Sequence, residues 1–236
     1  IRCTGIALIL GTIAINHFCF DEVLSVQRRG IIIFLLAFLY LFGGIIWHFT
    51  KENLTKRAAI FGLILAFTLV TQYKEWPTIT YANPNIRWWF NVEYFYFLLL
   101  LIPATYIGDL LQKRISSGAE IFTANNRKGA FALASLSLAL VVWMTFAFYM
   151  QLYWWNLCLS GIMLWGIYTI VKKEFPAYVP IVQMAAYLII AGEIIEPYGG
   201  GIKKVPCTIQ YCLATCGMAM MLLIVSDFIC HKIPGS

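Results

Sequence analysis

The stretch "GEIIEPYGGGIKKVP", residues 192–206, sets two carboxylates, three consecutive glycines and two lysines between strongly apolar runs. Glu193 and Glu196 stand three residues apart, a spacing that puts both side chains on one face of a helix. Carboxylates at membrane depth are costly and usually turn toward a cavity or a partner, where one can act as a general base. The alternative is that both stand just above the hydrocarbon, in water; Glu196 precedes Pro197, a position that commonly ends a helix. Gly199, Gly200 and Gly201 can adopt positive φ and present backbone amides with no side chain in the way. Lys203 and Lys204 precede Pro206, which suits the first turn of the next helix. Two cations at a helix N-terminus oppose its dipole unless an anion sits there. The segment reads either as a cradle for a negative group beside a carboxylate pair, or as a solvated loop whose lysines pair with the glutamates.

Other polar residues fall at matching depths. The first apolar run closes on "AINHFCFDE", with Asn16 and His17 at its end, and "RWWFNVEYFYF" places Asn91 and Glu93 in the outer half of a later run. His17 has an unperturbed pKa near neutrality and is the candidate for proton transfer, against the alternative of a capping or packing residue. Glu93, among Trp88, Trp89, Tyr94 and Tyr96, is either an intramembrane acid or part of an interfacial aromatic belt. The candidate catalytic residues are therefore His17 and Glu193. Asn16, Glu93, Glu196, Gly200, Lys203 and Lys204 are the candidate substrate-binding set. Asp109 and Asp227 are expected to pair with neighbouring bases. No metal site is expected: the seven cysteines include no C-x-x-C pair, and Cys212 and Cys216 have no nearby histidine to complete a ligand set. Nucleotide-binding loops and nucleophile elbows are absent from the sequence.

The elements that must position these residues are membrane spans. The chain is 61% hydrophobic and only 12% charged, with a mean hydropathy of +0.78, well outside the range of soluble domains. Its partner is a lipid bilayer. The net charge of +6 lies in short runs between apolar segments, which sets orientation and is no nucleic-acid footprint. Runs long enough to cross the hydrocarbon predict an all-α bundle of about eight spans, near 4–20, 30–49, 57–73, 88–108, 129–150, 152–171, 177–197 and 207–230. Strict alternation over strand-length segments is missing, which argues against a membrane barrel. One bundle over residues 1–236 is the simplest organisation, with 109–128 the one plausible seam. With eight spans, eleven of the seventeen Lys and Arg residues share the side of both termini and six lie opposite, so both termini are expected in the cytoplasm. Ala130, Ala134, Ser135 and Ser137 suit close helix packing, and "FYMQLYWWN" reads as an interfacial hairpin. The chain opens without methionine, and further residues are expected before Ile1 and after Ser236.

"IRCTGIALILGTIAINH" resembles the opening span of polytopic membrane acyltransferases, the acyltransferase-3 group and the heparan-glucosaminide N-acetyltransferase-like group. "LTKRAAIFGLILAFTLVT" is similar to the third span of the second group, and "GGIKKVPCTIQYCLATCGMA" looks like a late helix of its bacterial relatives. The resemblance implies transfer of an acyl group, often acetyl, from a donor such as acetyl-coenzyme A to a small-molecule or glycan acceptor. It gives a histidine, here His17, the part of base or transient acyl carrier. Two other classes compete. A glycine-interrupted helix end carrying carboxylates also occurs in secondary transporters, and a non-catalytic membrane scaffold needs polar residues only for orientation.

Overall fold

The computed structural model describes residues 2–19, 31–75, 82–83, 92–117, 127–203 and 207–232. Among these the chain is helical throughout, with no strand: α1 (Arg2–Cys19), α2 (Ile31–Phe38), a π-helical turn (Leu39–Gly43), α3 (Gly44–Thr50), α4 (Leu54–Tyr73), α5 (Glu93–Ser117), α6 (Arg127–Tyr149), α7 (Tyr153–Glu174), a 3₁₀ turn (Pro176–Tyr178), α8 (Val179–Ile195) and α9 (Ile209–Lys232). Seven stretches of the described residues are long and apolar enough to cross a membrane: Ile32–Thr50, Leu54–Tyr73, Glu93–Ser117, Lys128–Tyr149, Tyr153–Glu174, Pro176–Ile195 and Ile209–Cys230. With the 18-residue α1, this is the expected bundle of about eight helices. The apolar surface faces outward as much as inward. Leu54–Tyr73 has a mean hydropathy of 1.6 yet is only 17% buried, which in water would be prohibitive and in lipid is the ordinary condition. The protein is a multi-pass membrane protein.

The chain divides into two compact units, residues 1–105 with 205–209, and residues 106–204 with 210–236. In the first, α1 lies against α2 and the π turn because Gly5 has no side chain: a Cβ there would stand 3.2 Å from the Leu41 amide nitrogen. Phe34, Phe38, Tyr94, Leu98 and Ile102 form the buried core between α2 and α5. The Phe38 ring stands 4.4 Å from Phe42 and 5.6 Å from Tyr94, centroid to centroid. α4 starts at Leu54 rather than at 57 because Asn53 caps it, its Oδ1 accepting from the Lys56 amide at 3.1 Å. Arg57 in that first turn is buried, its Nε donating to Thr50 Oγ1 at 3.3 Å. Gln72 Oε1 accepts from the Ile209 amide at 3.1 Å, meeting one of the donors a helix N-terminus leaves open.

In the second unit, α6 and α7 form an antiparallel hairpin turned over Met150–Leu152, with Gln151 at φ 55. Ala130, Ala134 and Ser137 of the small-residue stripe are buried, whereas Ser135 is exposed. α8 and α9 cross closely at two glycines. A Cβ at Gly192 would lie 3.1 Å from the Ala214 amide nitrogen, and one at Gly217 would lie 2.9 Å from the Ala185 carbonyl oxygen. Close approach of this kind is how helices associate where no water drives them together.

The fourth expected span needs correction. Helix α5 begins at Glu93 and continues to Ser117, nine residues beyond the expected end at 108. Glu93 therefore sits on the first turn of α5, at the N-terminal end of the span. The apolar run ends near Gly108, but the helix goes on because Asp109, Lys113 and Arg114 need no lipid and Arg114 finds a partner: its Nη2 meets Asp227 Oδ2 of α9 at 3.3 Å. Tyr178 donates to the same carboxylate oxygen, and the Arg114 guanidinium lies 5.4 Å over the Tyr178 ring. Asp227 thus pairs with a base, as expected, but one supplied by another helix and not by its own sequence neighbours.

Candidate functional site

Asn16 and His17 fall on the last turn of α1, in the first unit with Glu93. The side chains of Asn16 and His17, and the whole of Asn91 and Lys204, lie outside the described residues. Glu193, Glu196, Gly200 and Lys203 belong together in the second unit, where α8 ends and the chain turns toward α9.

At that end both carboxylates are inside the protein. Glu193 is 4% exposed and Glu196 2% exposed, so neither is a solvated loop residue. Ser160 of α7 donates to Glu193 Oε2 at 2.8 Å. Glu193 Oε1 is buried and has no hydrogen-bond partner among the described residues. Glu196 follows the last residue of α8, and burial pushes its carboxyl from 4.5 up to about 7.

α7 adds a residue that inspection of the sequence passes over. Its buried stripe runs Asn156, Ser160, Leu164, Ile167, Val171, so Asn156 stands one turn from Ser160 on the same face. Asn156 is 1% exposed, and neither Oδ1 nor Nδ2 has a partner among the described residues. A buried amide without hydrogen bonds costs on the order of 2–7 kcal/mol. The available signal was Asn156 and Ser160 at i, i+4 in an otherwise apolar helix. Asn156 closes the stretch "FYMQLYWWN", whose aromatic residues mark an interfacial hairpin, and Trp154 and Trp155 are exposed.

The three glycines serve the turn itself. Gly200 and Gly201 adopt φ +74 and +83, as their residue type allows. The Gly199 amide donates to Ile195 O at 3.0 Å and the Gly201 amide to Glu196 O at 3.4 Å, so both close off the end of α8 instead of pointing at an anion. Their carbonyls are held from α9, where Gln210 Nε2 donates to Gly199 O at 2.9 Å and to Gly201 O at 2.6 Å. Gly199 is a glycine for space: a Cβ would lie 2.5 Å from Gln210 Nε2. Gln210, fully buried, is a second residue that sequence reasoning did not find. Lys203 is exposed, and its Nζ stands 4.0 Å from where a Cβ on Gly200 would be.

The chemistry available here is that of a buried carboxylate paired at one oxygen and unpaired at the other, close to a second buried carboxyl, with the Asn156 amide one turn from the serine that holds it. It can accept a proton from a hydroxyl or amine, or pass a proton on. Among the described residues no group of three or more His, Cys, Asp or Glu side chains could hold a metal ion.

Residues 1–111 match a family described as a domain of unknown function, DUF5009. The match ends within α5, and the Glu193 site lies beyond it. No curated protein and no solved structure matches the chain.

Proposed function

We propose that the chain belongs to an integral-membrane acyltransferase that moves an acyl group, acetyl in the first instance, from acyl-coenzyme A onto a carbohydrate-type acceptor. The reaction class comes from the resemblance of the first, third and last spans. The observation that carries the site is the buried Glu193 carboxylate, fixed at one oxygen and unpaired at the other. Ser160 orients the group through Oε2, leaving Oε1 to take the proton of an acceptor hydroxyl or amine as that atom attacks the thioester carbonyl. The carbon–sulfur bond breaks, coenzyme A leaves as the thiolate, and the proton on Glu193 is available to it. For the first unit the resemblance implies, separately, a base or acyl-carrier role for His17, with Asn16 and Glu93 as acceptor-binding residues. Lys203 and Lys204 supply the positive charge that donor phosphates need. The excess of Lys and Arg on the side of both termini supports a cytoplasmic N- and C-terminus.

The test is turnover of radiolabelled acetyl-coenzyme A with sugar acceptors by the protein in lipid nanodiscs. Glu193→Gln should lower kcat by about 100-fold or more, the range of a lost general base. Unchanged turnover in that variant removes Glu193 from the reaction. A second reading, proton-coupled transport, is favoured by one observation: two buried carboxyls lie three residues apart, and burial pushes that of Glu196 up to about 7. Proton-dependent uptake lost in Glu193→Gln, with no acyl transfer in the parent protein, would replace the enzyme by a transporter. Absence of both activities leaves the scaffold.

A further inference from the structure

The open hydrogen-bonding groups of α7 and α8 define what they can hold. Ser160 Oγ has one hydrogen, directed at Glu193 Oε2 at 2.8 Å, with a longer 3.3 Å approach to Leu157 O. Three atoms then remain without partners among the described residues: Glu193 Oε1, an acceptor; Asn156 Oδ1, an acceptor; and Asn156 Nδ2, a donor. All are on buried side chains of one unit, Asn156 being one turn from the serine that binds Glu193.

A matching ligand must donate at two points and accept at one. A metal cation satisfies the two acceptors but leaves Nδ2 unmet and adjacent to positive charge. An ammonium group fails in the same way, a monoanion is repelled by an ionised Glu193, and an apolar ligand satisfies nothing. Neighbouring hydroxyls each donate and accept, and those of a six-membered ring spread over a few ångströms, comparable to the helical turn of about 5.4 Å that separates Asn156 from Ser160. We infer that Asn156 and the open oxygen of Glu193 together bind adjacent hydroxyls of a ring polyol, with Asn156 the residue that selects for them. This rests on the Glu193 site of the proposed acyltransferase and adds to it a second binding group.

The experiment measures binding of methyl β-D-glucopyranoside and its monodeoxy derivatives to the full chain in nanodiscs, without acyl donor. The parent protein should bind the glucoside saturably. Asn156→Leu and Glu193→Gln should each weaken binding at least about tenfold, as for a lost hydrogen bond to a buried or charged group. Their combination should cost less than the product of the two, because both act on one ligand. At least one monodeoxy glucoside should bind the parent about tenfold more weakly and Asn156→Leu with no further loss. If Asn156→Leu fails to fold, Asn156→Ala serves. No saturable binding by the parent, or equal binding by the Asn156 variants, overturns the inference. So does a fall in Tm of those variants with unchanged glucoside affinity, which would mark an internal water as the partner. Acyl transfer that persists while glucoside binding ignores Asn156 removes this inference alone; glucoside binding without acyl transfer removes only the reaction class.

Discussion

Glu193 and Glu196 stand close in sequence but differ in what holds them. Glu193 has a dedicated donor in Ser160; Glu196 is governed by its burial, which lifts its carboxyl from 4.5 to about 7. A carboxyl whose folded pKa is raised binds more protons folded than unfolded, so its contribution is intact below about 4.5 and declines as pH rises to about 7. Thermal unfolding in detergent should therefore show Tm falling across that window. Glu196→Gln, which cannot ionise, should flatten the fall and be the more stable protein at pH near 8. Parallel pH profiles for parent and variant would show that Glu196 does not titrate in this window.

Among the elements, the α8–turn–α9 segment depends on close backbone approach. Gly192 meets the backbone of α9 at Ala214 and Gln210, at 3.1 and 3.2 Å from a hypothetical Cβ. Gln210 in turn bridges Gly199 and Gly201. Gly192→Val should force the helices apart, costing about 1–3 kcal/mol by overpacking. It should also loosen residues 196–203, because the Gln210 clamp is set by the same crossing. Unfolding of the variant in detergent, with hydrogen exchange of the turn, checks both; native exchange at Gly199 and Gly201 would show that the clamp does not need the crossing. The glycine run was legible as a backbone signal; the start of α4 was not, because the Asn53 cap sets it at Leu54, ahead of the apolar run expected at 57. Gly199 was legible only in part, since its reason is the volume of Gln210, eleven residues away.

Among the described residues many large apolar side chains are exposed, while a half-buried polar cluster joins distant parts of the second unit. Arg114 of α5, Tyr178 of the 3₁₀ turn and Asp227 of α9 converge within the second unit. Their union ties three elements together far from one another in sequence. Asp227→Asn leaves the Arg114 guanidinium, 19% exposed, without its charge partner, and a loss of about 1–3 kcal/mol is expected. Adding Arg114→Met should recover part of it. A single variant with the parent's Tm would mean the pair contributes nothing to the assembly of the unit.

Composition and run length alone determined that the chain is helical, multi-pass and lipid-facing, since about 20 apolar residues have few other ways to satisfy their backbone in hydrocarbon. The sequence also singled out Glu193, Glu196 and the glycine turn, because charge and consecutive glycines are anomalies against such a background. Which faces turn inward was decided only by the tertiary structure. A membrane helix is apolar on all sides, so no stripe of polarity marks the buried face, and Asn156, Ser160 and Gln210 gain their meaning from helices packed beside them.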